Sequence, residues 1–112
     1  MPRFVILEHD HPEMHWDFML EAGDKLRTWR LAAPPADGQL VAASVSFDHR
    51  LAYLDYEGPV SGNRGRVVQW DRGDYEDLGA AGDQVQVRLR GLKLRGTVTL
   101  RPEGTLFFQE RD

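Results

Sequence analysis

The chain has 112 residues, 41% hydrophobic and 29% charged, which is the size and balance of one domain with one core, expected over residues 1–112. It contains no cysteine, which excludes disulfides, zinc ribbons and thiol catalysis. With 14 Lys plus Arg against 18 Asp plus Glu, the net charge of −4 excludes a nucleic-acid coat protein, whose affinity needs a broad positive excess.

Eleven glycines and six prolines punctuate short segments, and no long window keeps a helical period. Residues 3–9 are rich in strand formers, and 15–21 alternate, with Trp16, Phe18 and Leu20 opposite His15, Asp17, Met19 and Glu21. Ala22-Gly23-Asp24 reads as a three-residue hairpin loop, with residues 25–31 as the return strand. Pro34 and Pro35 make 32–38 a loop, after which Val41, Ala43, Val45 and Phe47 mark a strand that delivers Asp48-His49. Residues 58–65 read as a second loop and 66–70 as a strand. Asp71-Arg72-Gly73-Asp74 reads as a turn, and 77–83 as a surface connection.

Alternation then runs from Val85 through Leu92 and Leu94 to Leu100, and Leu106-Phe107-Phe108 forms a last strand. Eight or nine short strands at this length predict an all-β fold, a small closed antiparallel β-barrel of about eight strands, because closure removes exposed edges. The apolar runs, such as Phe4-Val5-Ile6-Leu7, are too short to cross a bilayer. The N-terminus lacks the form of a signal peptide, so a cytoplasmic protein with no membrane partner is expected.

The four histidines, His9, His11, His15 and His49, lie in the first half. His15 and Asp17 are two apart on an expected strand and so share a face, and His9 sits in phase with Val5 and Leu7 across a five-residue turn. Two imidazoles and a carboxylate suit a divalent ion such as Mn²⁺, Fe²⁺ or Zn²⁺, with positions left open for water and substrate. The spacing alone leaves the alternative that His15 and Asp17 are ordinary solvated residues of a strand. His15, Asp17 and His49 also satisfy a His-x-Asp…His iron-oxygenase pattern.

The run His9-Asp10-His11-Pro12-Glu13-Met14-His15-Trp16-Asp17-Phe18-Met19-Leu20-Glu21 resembles the signature of the 3′-phosphoesterase domain of bacterial DNA ligase D. That signature is His, five residues, then His-aromatic-Asp-Phe-Arg-Leu-Glu. Leu26-Arg27-Thr28-Trp29, Asp48-His49-Arg50-Leu51-Ala52-Tyr53 with Asp55-Tyr56-Glu57-Gly58, Trp70-Asp71-Arg72-Gly73-Asp74-Tyr75, and Gly91-Leu92-Lys93-Leu94-Arg95-Gly96 resemble further family blocks, in family order. The resemblance implies a compact β-barrel, here in a stand-alone version, that uses manganese to remove 3′-terminal blocks from DNA or RNA primer ends during DNA repair. It implies His9, His15 and Asp17 as metal ligands, His49 as a catalytic group touching the phosphate, and Tyr53 close to it. Nucleic-acid 3′ ends become the expected partner, with a separate ligase or polymerase as a further one.

Four departures from the family stand out, one of them a shorter Gly-rich loop after Glu57-Gly58. Met19 takes the place of a phosphate-gripping arginine, Ala33 falls near an expected lysine, and Leu7 replaces a polar residue. They make a catalytically weak or inactive metal-holding barrel that binds a nucleic acid or protein partner the alternative to the hydrolase. An arginine at position 19 is expected to raise activity. Arg30, Arg50, Arg64 and Arg66 are candidates to refill the clamp, with Arg50 beside His49; otherwise each is a solvated arginine. His11 is expected in a turn, and Trp16, Phe18, Trp29 and Trp70 in the core. Arg88, Arg90, Lys93 and Arg95 form either a solvated face or a nucleic-acid track.

Overall fold

Nine strands follow one another in chain order in a computed structural model that describes residues 1–79 and 82–111. They are β1 (Arg3–His9), β2 (His15–Ala22), β3 (Lys25–Leu31), β4 (Gln39–Arg50), β5 (Gly58–Pro59), β6 (Arg66–Asp77), β7 (Val85–Gly91), β8 (Arg95–Arg101) and β9 (Thr105–Glu110). A single 3₁₀ turn, Leu51–Leu54, follows β4. All strand pairings are antiparallel, in the order β1-β2-β3-β4-β9-β8-β7-β6, and β6 pairs back onto β1. Eight strands therefore close a ring, as the alternation predicts, while the two-residue β5 adds to the outside of β6.

Inward-facing positions recur with the two-residue period of each strand. Phe4 and Ile6, Phe18 and Leu20, Trp29 and Leu31, Val41 and Ala43, Val87 and Leu89, Val98 and Leu100, and Leu106 and Phe108 fill the ring. Trp16 and Trp70 are partly buried against this core. Burying each large apolar side chain contributes about 1.5 to 3 kcal/mol, so the interior is what holds the ring closed. A second, smaller cluster lies on the opposite face of the same strands: Val5, Leu7, Met19, Leu26 and Val67, capped by Leu54 of the 3₁₀ turn. Arg3 ties that turn down, its guanidinium 2.6 Å from the Asp55 carboxylate.

Four sequence expectations change. The β2–β3 loop has two residues, since Ala22 pairs with Lys25, and Gly23 takes the positive φ (68°) that such a loop requires at its first position. The 58–65 loop contains β5. Residues 71–74 form no turn, because β6 continues to Asp77. Asp71 is 3% exposed, and its carboxylate accepts backbone N–H bonds of 2.8 to 3.0 Å from Arg72, Leu92, Lys93 and Leu94. Those bonds hold 92–94 as a tight β7–β8 connection, so the alternation read through Leu92 is interrupted and Leu92 stands 76% exposed. Of the connection expected at 77–83, residues 80 and 81 lie outside the described residues.

Two bulges re-aim strands. Between Ile6 and Leu7 the register with β6 shifts by one residue at Trp70. Opposite β3, Leu26 pairs with His49 but Thr28 with Ser46, so β4 carries one extra residue at 47–48. Because side chains alternate, an added residue flips everything beyond it to the other face. His49 has the parity of the inward-facing Val41 and Ala43, and the bulge turns it outward beside Leu26.

Candidate functional site

His9 ends β1 and His15 begins β2, and the two are directly paired across the hairpin. Asp17 is two residues further along β2 on the same outer face. Asp17 and His15 are buried, and His9 is half-buried. The His15 Nε2 lies 3.2 Å and the His9 Nδ1 3.7 Å from the same Asp17 oxygen, Oδ2. One ligand-type atom from each of the three lies within 4.8 Å of the others, the grouping expected from the sequence.

The far nitrogens fix the tautomers. His15 Nδ1–H donates to the Glu13 carbonyl at 2.9 Å, and His9 Nε2–H donates to the Arg64 carbonyl at 2.8 Å. The remaining nitrogens, His15 Nε2 and His9 Nδ1, face the same carboxylate oxygen. In the singly protonated form of each ring these nitrogens turn lone pairs toward one point, where a cation would be accommodated. Ring nitrogens anchored on backbone carbonyls are the usual outer support of metal-ligating histidines. Two neutral imidazoles and a carboxylate thus fit a borderline divalent ion with coordination positions to spare.

His9 and Asp17 line a cavity of about 460 Å³ whose lining includes Leu7, Met19 and Val67 as an apolar floor, whereas His15 lines the larger neighbouring cavity. His49, Tyr53 and Arg50 line the same cavity as His9 and Asp17, so most of the residues expected from the sequence come together there. His49 is held from behind: its Nδ1–H faces Thr28 Oγ1 at 2.9 Å and the Phe47 carbonyl at 3.1 Å, while Thr28 Oγ1–H donates to the Leu26 carbonyl. The Phe47 ring stacks on His49 at 4.6 Å, and Tyr53 meets it edge-on at 5.5 Å. Burial lowers the His49 pKa below its ordinary value, against opposing pulls from Asp17, the Phe47 carbonyl and Asp48. His49 does not join the ligand cluster, and His9 takes the place that the iron-oxygenase pattern would give it.

The arginine candidates separate. Arg30 pairs in register with Asp17, lines the cavity and forms no salt bridge among the described residues. Arg64 also lines it, but its guanidinium is bound to the Ser61 carbonyl at 2.7 Å. Arg66 is exposed and outside the lining. Met19 is 1% exposed within the small cluster, and Ala33 is an exposed bend residue away from the cavity. His11 sits in the β1–β2 connection, its ring 6.4 Å from that of His9. On β6, β7 and the β7–β8 connection, Arg88 and Arg90 share Glu76, and Lys93 lies over Trp70, which fits a solvated face. A larger cavity, about 860 Å³, occupies the open barrel mouth beside Trp29 and Val45 and meets the first at Arg30 and Asp48.

The sequence pattern did not single out Thr28 or Phe47 as supports of His49. The Glu13 and Arg64 carbonyls leave no trace in side-chain identity, since any residue carries one.

A closed antiparallel barrel with a His-His-Asp ligand set on its outer face, beside a third histidine in a cleft, defines a small β-barrel domain with a candidate metal centre. Residues 7–101 match the family described as the DNA Ligase D 3′-phosphoesterase domain, and the chain belongs to that family. It is similar to the multifunctional non-homologous end joining protein LigD of Pseudomonas aeruginosa, with 32% identity over 84% of this chain and 12% of that protein. The multifunctional non-homologous end joining DNA repair protein LigD of Mycobacterium tuberculosis is 32% identical over 87% of this chain and 14% of its own length. The chain thus spans about one-eighth of the curated relatives it matches. The family description names a 3′-phosphoesterase domain, and the two relatives are named for non-homologous end joining. Among the described residues, no helix is long and apolar enough to cross a membrane.

Proposed function

We propose that this chain, acting as one domain, is a Mn²⁺-dependent 3′-phosphoesterase that removes phosphate and ribonucleoside blocks from DNA or RNA-terminated primer ends in the cytoplasm. The observation that carries this reading is the pair of backbone-anchored histidines whose remaining nitrogens converge on Asp17, beside His49, in a chain of this family. His9, His15 and Asp17 would hold the ion, which when bound polarises a phosphate ester and acidifies water.

The chain's own residues supply the rest. His49 rests as a neutral base, with Nδ1 committed to Thr28 and Phe47 and Nε2 left for the cleft. An anionic phosphate nearby favours the imidazolium, so His49 takes up a proton as substrate arrives and returns it to the leaving oxygen. Arg30 and Arg50 orient the phosphate, in place of the arginine the resemblance expects at position 19. Tyr53 packs edge-on against the His49 ring and limits its rotation. With a net charge of −4, contact with nucleic acid is local, confined to the end and weakly salt-dependent. A separate ligase or polymerase would take over the 3′-hydroxyl.

Met19 favours a second reading, a metal-holding barrel without turnover that binds a nucleic acid or protein partner. It is packed against Leu7, Leu26 and Leu54, leaving methionine where a donor to the phosphate is expected. Turnover of a 3′-phosphorylated primer with Mn²⁺ decides. The hydrolase reading predicts release of phosphate, reduced by about 10²-fold in Arg30→Ala. Stoichiometric Mn²⁺ binding with no release would establish the second reading.

A further inference from the structure

The β4 strand exposes two large apolar side chains near the bulge, Val45 at 82% and Phe47 at 69%. Val45 lies in the open barrel mouth, whereas Phe47 lines the cavity that holds His9, Asp17 and His49. One face of the Phe47 ring is stacked on His49, with 19° between the planes, and most of its remaining surface is open. Leaving a phenyl ring in water forgoes the free energy its burial would contribute. Phe47 borders the same cleft as His49 and Arg50, so a ligand held there would meet its ring.

The surrounding charge narrows the ligand. The Asp48 carboxylate, next in sequence, is 3.1 Å from Lys25 Nζ and so is partly neutralised. Arg30 and Arg50 line the same cleft. A flat apolar ring beside cationic groups matches a ligand that joins a planar aromatic base to a phosphate. A phenyl ring offers no hydrogen bond to a base edge, so it reads the π-face that every base shares.

We propose that Phe47 is the stacking platform for the terminal nucleobase of the 3′ end whose phosphate enters the cavity. The proposal rests on the preceding reading of that cavity as a phosphate-ester site. It makes the substrate a nucleotide-terminated end and not a bare sugar phosphate, with a preference set by stacking area, purine over pyrimidine, and not by sequence. The bulge that turns His49 outward also carries Phe47 to the rim, so one backbone irregularity positions both rings.

Two single-stranded 3′-phosphorylated oligonucleotides test this, one ending in 2-aminopurine and the other in an abasic nucleotide, titrated without added metal. The wild type should bind the base-terminated strand about 5- to 150-fold more tightly, the range of one base stacked on an aromatic side chain, and should quench 2-aminopurine fluorescence. Phe47→Ala should lose both the preference and the quenching, and Phe47→Trp should keep both. A wild type that binds the two strands alike, or a Phe47→Ala that still discriminates and quenches, overturns the proposal. Phosphate release from the base-terminated strand with Mn²⁺ is scored separately. Its absence would overturn the phosphoesterase reading, while the quenching titration still decides the stacking.

Discussion

The two faces of the β1–β2 hairpin are built from the same strands and obey opposite rules. Inward, Phe4, Ile6, Phe18 and Leu20 join a dry core to which most of the ring contributes. Outward, Val5, Leu7 and Met19 form a shallow apolar floor that gives way within one residue step to His9, His15 and Asp17. The inner face is closed by eight strands, but the outer one is covered by a 3₁₀ turn and a two-residue strand. Stability is therefore concentrated on one side of the hairpin and the candidate site on the other, a division that alternating side chains make available at no cost in chain length.

The sharpest way to break that division is to empty the outer face. Asp17→Ala and His15→Ala should reduce Mn²⁺-dependent release of a 3′-phosphate to background while leaving circular dichroism and the thermal midpoint close to wild type. Unfolding of both variants would show that the cluster serves the fold instead. His49→Ala should lower the same rate by about 10²- to 10⁴-fold, the range of a lost acid–base group, while Mn²⁺ binding persists.

Emptying the inner face should do the reverse. Phe18→Ala should cost about 3 to 5 kcal/mol in denaturant unfolding, and Leu54→Ala, under the thinner cover, about 2 kcal/mol. At a temperature where both remain folded, Leu54→Ala should weaken Mn²⁺ binding more than Phe18→Ala does. The opposite ranking would mean that the floor does not support the ligands.

The smallest expected effect is in the pH dependence of stability. The folded His49 pKa lies below the ordinary value of 6.5, so between the two values the unfolded chain binds the extra proton. Stability from this group is complete above 6.5 and is lost as pH falls from there through the folded value. His9 adds to the lowering, and Asp17 and Asp48 oppose it. His49→Gln should flatten that part of the acid limb in urea titrations at pH 5 to 7; an unchanged slope would place the loss elsewhere.

Much of this division was legible in the sequence. The strict alternation of His15 to Glu21 separated the inward core positions from His15 and Asp17, and the phase of Val5, Leu7 and His9 put the second imidazole on the same face as those two. What escaped was whatever breaks the period. The extra residue at 47–48 reverses the face of His49, and nothing in Ser46-Phe47-Asp48 announces it. Asp71-Arg72-Gly73-Asp74 has turn composition but lies mid-strand, because the Asp71 carboxylate organises another segment's turn and Gly73 allows β7 to pass close. A Cβ on Gly73 would collide with the Arg90 carbonyl oxygen, a contact that only the fold reveals. The backbone carbonyls that set the histidine tautomers are invisible for the same reason: they are properties of position.

The most direct test of the division is a calorimetric titration of Mn²⁺ into the wild type and into Asp17→Asn, which keeps the side-chain shape and removes the charge. We expect one site per chain in the wild type and none in Asp17→Asn, with equal thermal midpoints in the absence of metal. Binding of the same stoichiometry and affinity in both proteins would contradict the assignment of the outer face as a metal centre.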